Sequence, residues 1–172
     1  MPTLSDLEND LSTMEKEMQG LVRRFTTIAG QQAASIVKLN FVLQGYDDGV
    51  SFKAWAERSE ATNRMYDKGY GANKGGNLYV YSSSNPILVQ SKNLRNAISY
   101  RAHKYDVDVG VYDSMIGTHN AVDYGQENNE GSDVVPQRQF MPTPMEGPNE
   151  KIMANIEGRW KSEEAKIMNK FK

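Results

Sequence analysis

Leu4, Leu7, Leu11, Met14, Met18, Leu21, Val22, Phe25, Ile28 and Ala29 recur at spacings of three and four, and Ala33, Ile36, Val37 and Phe41 carry the pattern on towards Gly45. That period draws one apolar stripe along a long helix over residues 1–44, and such a stripe must lie against something. Ser5 or Thr3 can cap a helix beginning near Asp6, with Glu8 closing a capping box from Ser5. Asp6, Glu8 and Asp10 suit the positive end of the helix dipole. Gly20 and Gly30 each cost about 1 kcal/mol relative to alanine, so a bend is expected at one of them. The stripe either covers a sheet of the same chain or meets a helix of a neighbouring subunit, coiled-coil-like at its N-terminal end.

Residues 45–49 (Gly-Tyr-Asp-Asp-Gly) break the pattern. A short amphipathic helix is expected over residues 50–66, with Phe52 and Trp55 one turn apart as its anchors. Arg58, a turn further on, is expected in solvent, stacked on Trp55 or near a carboxylate. Residues 68–76 form a glycine-rich, weakly basic loop. It lacks the G-x-x-x-x-G-K-[ST] spacing and the preceding buried strand of a phosphate-binding loop. Leu78, Tyr79, Val80 and Tyr81 alternate as a strand before residues 82–86 end it.

Residues 78–142 read as a sheet region with loops. Ser91 can cap one helical turn that points Leu94 inward. Ile98 and Tyr100 then share one face of a strand, with Ser99 and Arg101 on the other. Val107, Val109 and Val111 oppose Asp106, Asp108 and Gly110 in the same way, giving a hairpin with one buried and one wet side. The polar run 126–133 reads as an exposed loop, and Pro136 and Pro142 bracket an extended segment. A final helix over residues 149–172 carries Ile152, Ile156, Trp160, Ile167 and Phe171 as its stripe. The fold class expected is α+β: a small antiparallel sheet against a long N-terminal helix and a C-terminal helix, in one domain over residues 1–172.

With 38% hydrophobic residues, the 172-residue chain supports only a modest core, and subunit interfaces can add burial. A net charge of −2, from 20 basic and 22 acidic side chains, argues against a dedicated nucleic-acid binder. Cysteine is absent, which removes disulfides and thiolate metal sites. The N-terminus lacks the pattern of a secretion signal, and no apolar run is long enough for a membrane span, so a soluble protein without a membrane partner is expected.

Chemistry has few candidates. His119 and Asp123 stand four apart, but without cysteine or a third histidine they fall short of a zinc site. Asp106, Asp108 and Asp113 could converge on a cation in a metal-dependent hydrolase, although acids on the wet face of a strand are ordinary. Arg95 and Arg138 are the charges expected to have fixed partners, given the geometry of the guanidinium. No catalytic residue, cofactor or metal is assigned. A third possibility is a helical adaptor whose N-terminal stripe binds partner helices.

The order of short motifs carries further. Phe52, Trp55 and Arg58 are followed by Ile87-Leu88, then by Ser91-Lys92-Asn93-Leu94-Arg95-Asn96-Ala97, a hairpin, His119 to Gly125, and Pro136-x-Arg138-x-Phe140. This order resembles the bacteriophage virion-morphogenesis (tail-completion) family, the phage Mu-like group, and more loosely the phage neck and head–tail joining proteins. Lys92 and Ala97 replace the family's usual glycine and serine, and the histidine segment is shifted. The resemblance spans residues 52–140. It implies a non-enzymatic virion protein at the head–tail junction, assembled in the host cytoplasm. It implies a ring of six copies that contacts other neck, tail or connector proteins and lets genomic double-stranded DNA through its lumen. It also implies that residues 136–142 fold back on the sheet, with Phe140 in the core and Arg138 held by a carboxylate or carbonyl.

Overall fold

In the computed structural model, which describes residues 3–68, 82–88, 93–112, 115–116, 119–143 and 145–171, the long apolar repeat forms two helices in succession. These are α1 (Leu4–Arg23) and α2 (Phe25–Leu43). Thr3 caps α1, and its capping box closes on Asp6, not from Ser5 to Glu8. The two Thr3 hydrogen bonds hold the Asp6 carboxyl below the usual aspartate range. The break falls at Arg24, whose amide bonds back to Leu21 O at 3.0 Å, and neither expected glycine hosts it. Gly20 faces open space, whereas Gly30 is where α2 comes closest to the sheet. A Cβ on Gly30 would stand 2.4 Å from Tyr100 Cδ2 and 2.7 Å from Val107 Cγ2.

α2 ends at Gln44, which takes the left-handed conformation (φ 56°) in place of the neighbouring glycine. Gly45 is needed for space: a Cβ there would lie 2.4 Å from Phe52 Cζ. Gln44 is fixed by its own side chain, which donates to Phe41 O at 2.6 Å and accepts from the Ile87 amide at 2.5 Å. Strand β1 (Gly45–Asp47) pairs antiparallel with β2 (Phe52–Ala54). Asp48 Oδ1 accepts the amides of Val50 and Ser51 at 2.7 and 2.6 Å across the turn, where Gly49 has φ +95°. This hairpin replaces the first half of the helix expected over residues 50–66. The local side-chain-to-backbone bonds offered by the two aspartates outcompete helix initiation there. The helical part is α3 (Glu60–Asp67), capped by Ser59.

A single turn, α4 (Asn93–Ala97), runs directly into β3 (Ile98–Ala102), which pairs with β4 (Val107–Val111) in the register Ile98↔Val111, Tyr100↔Val109 and Ala102↔Val107. Ile98 is buried, Tyr100 and the three valines are half-buried, and Ser99, Arg101 and Asp108 are exposed, as the alternation predicts. A third pair joins β5 (Met115–Ile116) to β6 (His119–Asn120). The run expected to be an exposed loop is instead mostly helix: α5 (Ala121–Glu130) buries Gly125, Asn128 and Asn129. Its polar composition hid it, because the buried side chains are asparagines bonded to backbone: Asn128 Nδ2 donates to Tyr124 O within the helix, and Asn129 Oδ1 accepts the Phe140 and Met141 amides. α6 (Glu150–Met168) starts at the Asn149 cap and closes in a 3-10 turn, Asn169–Phe171.

The fold is α+β, with three two-stranded antiparallel pairs among the described residues and a long helix towards each end. α2 packs against both the β3–β4 hairpin and α6. The core joins Ala33, Val37 and Phe41 of α2 to Trp55, Leu94, Ile98, Phe140 and Ile152. Each large apolar side chain buried there contributes roughly 1.5–3 kcal/mol. Phe25 of α2 meets Trp160 of α6 edge to face at 5.3 Å. Among the described residues no helix is long and apolar enough to cross a membrane. The expected strand at residues 78–81, most of the glycine-rich loop, the Ser91 cap and Asp113 lie outside the described residues.

Candidate functional site

Residues 136–142 have no strand partner, so their polar backbone groups must be satisfied in other ways. Two buried asparagines hold Phe140 from opposite sides. Asn129 Oδ1 accepts the Phe140 and Met141 amides at 2.9 and 3.1 Å, and Asn40 Nδ2 donates to Phe140 O at 2.9 Å. Trp55 Nε1 donates to Gln139 O at 2.6 Å, and the Arg138 amide donates to Asn128 O at 2.7 Å. Thus secured, Phe140 is 1% exposed. Its ring lies 5.1 Å from that of Phe41, which meets Trp55 edge to face at 5.3 Å.

Most motif residues converge on this segment. Arg138, 8% exposed, donates from Nε to Ala56 O at 3.0 Å and from Nη2 to Glu57 O at 3.3 Å. It is held by carbonyls, one of the two partner types expected. Burial pushes its pKa below the ordinary arginine value; Tyr124 opposes this and the Arg58 charge adds to it. Arg58 is half-buried, and among the described residues it neither stacks on Trp55 nor pairs with a carboxylate. Its guanidinium donates to the carbonyls of Ser83, Asn85 and Pro86 at 3.2, 2.8 and 2.8 Å and lies 5.5 Å from the Tyr66 ring centre. Both arginines therefore tie loop backbone to the stretch after β2. Leu94 is buried beneath α5, where a Cβ on Gly125 would stand 3.2 Å from Leu94 Cδ1, 3.1 Å from Val111 Cγ2 and 3.7 Å from Phe140 Cζ. Gly125 is thus the point at which α5 approaches the hairpin.

Two further expectations fail. Phe52 is 53% exposed and lies over Gly45, because a strand places it on a different side from buried Trp55. Arg95 is half-buried with no hydrogen bond or ion pair among the described residues. Pro136 is exposed and starts the extended segment, as its place in the motif predicts. His119 lies in β6 and Asp123 in α5, so they do not share one helical face, and the His119 side chain lies outside the described residues.

Asn40, Gln44 and Asn129 were not singled out by sequence reasoning. Asn40 interrupts the apolar face of α2 and was the one available signal, since a buried amide demands partners.

Asp106 and Asp108 are exposed on the wet side of the hairpin, and Asp108 Oδ2 lies 3.1 Å from His103 Nε2. Among the described residues no three His, Cys, Asp or Glu side chains gather closely enough to hold a metal ion. The arrangement around Phe140 is a clamp: its donors and acceptors are engaged by backbone. No protein family, curated protein or solved structure matches the chain.

Proposed function

We propose that this chain is a non-enzymatic structural component of a tailed-phage particle, a tail-completion or neck protein that forms a ring at the head–tail junction. The observation that carries the reading is the convergence of Trp55, Arg58, Leu94, Gly125, Arg138 and Phe140. These residues carry the motif order, lie in four separate elements and segments, and gather around one extended segment. A motif set that builds a scaffold suits a protein whose work is assembly. Exposed apolar side chains such as Val42 and Val50 supply surface for contacts between copies. Heterologous contacts of that kind close into rings, here of six copies. Genomic DNA passes through the lumen, and a chain of net charge −2 does not hold it back.

Antibody labelling of intact particles, together with mass measurement of the purified protein alone and with its virion neighbours, tests the reading. Label at the junction and a closed multimer are expected. Label elsewhere on the particle, or turnover of a substrate by the pure protein, overturns it.

A further inference from the structure

The N-terminal half of α1 presents an apolar seam that the described residues leave largely bare. Leu4, Leu7, Leu11, Met14, Met18 and Leu21 alternate at spacings of three and four, the a and d positions of a heptad. Leu21 is fully buried and Met14 and Met18 are half-buried, but Leu11, Leu7 and Leu4 are 55, 49 and 77% exposed. The seam from Leu4 to Met18 runs for about 21 Å, long enough for a helix–helix contact of several turns.

Charge identifies what fits. The positions flanking the seam carry Glu8 and Glu15 on one side and Asp10 and Glu17 on the other, while Lys16 and Arg23 lie at the back of the helix. A parallel second copy would set Asp10 opposite Glu15, and an antiparallel one would set like flanks against each other. Pairing with itself is therefore disfavoured in either direction. The molecule already shows the favourable arrangement at one point. Lys170, in the 3-10 turn that ends α6, places Nζ 2.9 and 2.7 Å from the two carboxylate oxygens of Glu17. We propose that the N-terminal half of α1 docks an amphipathic helix of another protein, with lysine or arginine on both flanks of its apolar stripe. The proposal needs only α1 and stands apart from the reading of the chain as a virion protein.

The test uses the full-length chain and two synthetic helices with the same leucine seam, one with lysine and one with glutamate at every flanking position. Fluorescence anisotropy is expected to show the lysine helix binding roughly tenfold or more tightly than the glutamate helix. Leu7→Ser with Leu11→Ser should abolish that binding without lowering the melting temperature, and Glu8→Lys with Glu15→Lys, which leaves Asp10 and Glu17 on the other flank, should remove most of the preference. Three results overturn the proposal. They are equal binding of the two helices, or none; early melting of the serine variant, which makes the seam part of the protein's own core; and loss in that variant of a multimer that the wild type forms, which makes a second copy the occupant.

Discussion

Asn40 Nδ2 donates to the carbonyl oxygen of Phe140 at 2.9 Å, joining residues one hundred positions apart inside the core. Its Oδ1 accepts the Asp47 amide at 3.3 Å, so one buried side chain links α2, the β1–β2 hairpin and the extended segment. Asn40→Leu keeps the branching of the side chain and leaves both backbone groups without its amide as partner. It should cost about 1–3 kcal/mol in urea unfolding. Asn129→Ala, which strands the amides of both Phe140 and Met141, should cost at least as much.

The Arg138 fork reaches two successive carbonyls, those of Ala56 and Glu57. Lysine has charge but no planar pair of donors. Arg138→Lys should therefore destabilise the protein by about 1–3 kcal/mol, and Arg138→Met should be no better. Near-full stability of the lysine variant would mean that charge alone suffices.

Glycine replacements should divide by what surrounds them. Gly158 has no atom within 4 Å of a built Cβ, so Gly158→Ala should raise stability by about 0.5–1 kcal/mol through helix propensity. Gly30→Ala must displace Tyr100 or Val107. It should lower stability by about 1–3 kcal/mol despite the same propensity gain. Thermal melts of the two variants settle the contrast.

Acid should remove one tie between the β1–β2 hairpin and α6. Asp47 pairs with Lys151, and the Lys151 amide donates to Asp48 O at 3.0 Å. The hydrogen bond from Lys151 holds the Asp47 carboxyl below its usual 3.8, so its contribution is complete above that pH and fades as pH falls through the lower native value. Asp47→Asn should therefore be less stable than wild type at neutral pH. The gap between their urea midpoints should close as the pH drops below 3.8. A gap that persists unchanged into strong acid rejects this account.

Periodic features were legible from residue order alone. The apolar stripes of α1, α2 and α6, the Asn149 start and the alternation of β3 and β4 each report a local repeat against a buried face, and chain geometry fixes those repeats. The burial of Phe140 and a fixed partner for Arg138 were also expected, from the resemblance carried by their motif. What the sequence hid was how polar side chains found backbone partners, both in a tight turn and far along the chain. Whether Phe52 lay on a helix or a strand depended on two aspartates capping a turn. Whether α5 was helix or loop depended on the Asn129 side chain finding the amides of Phe140 and Met141. The role of Gly30 appeared only once Tyr100 stood against it. A polar side chain looks the same in a sequence whether solvent or a distant peptide group satisfies it, and only the folded chain decides which.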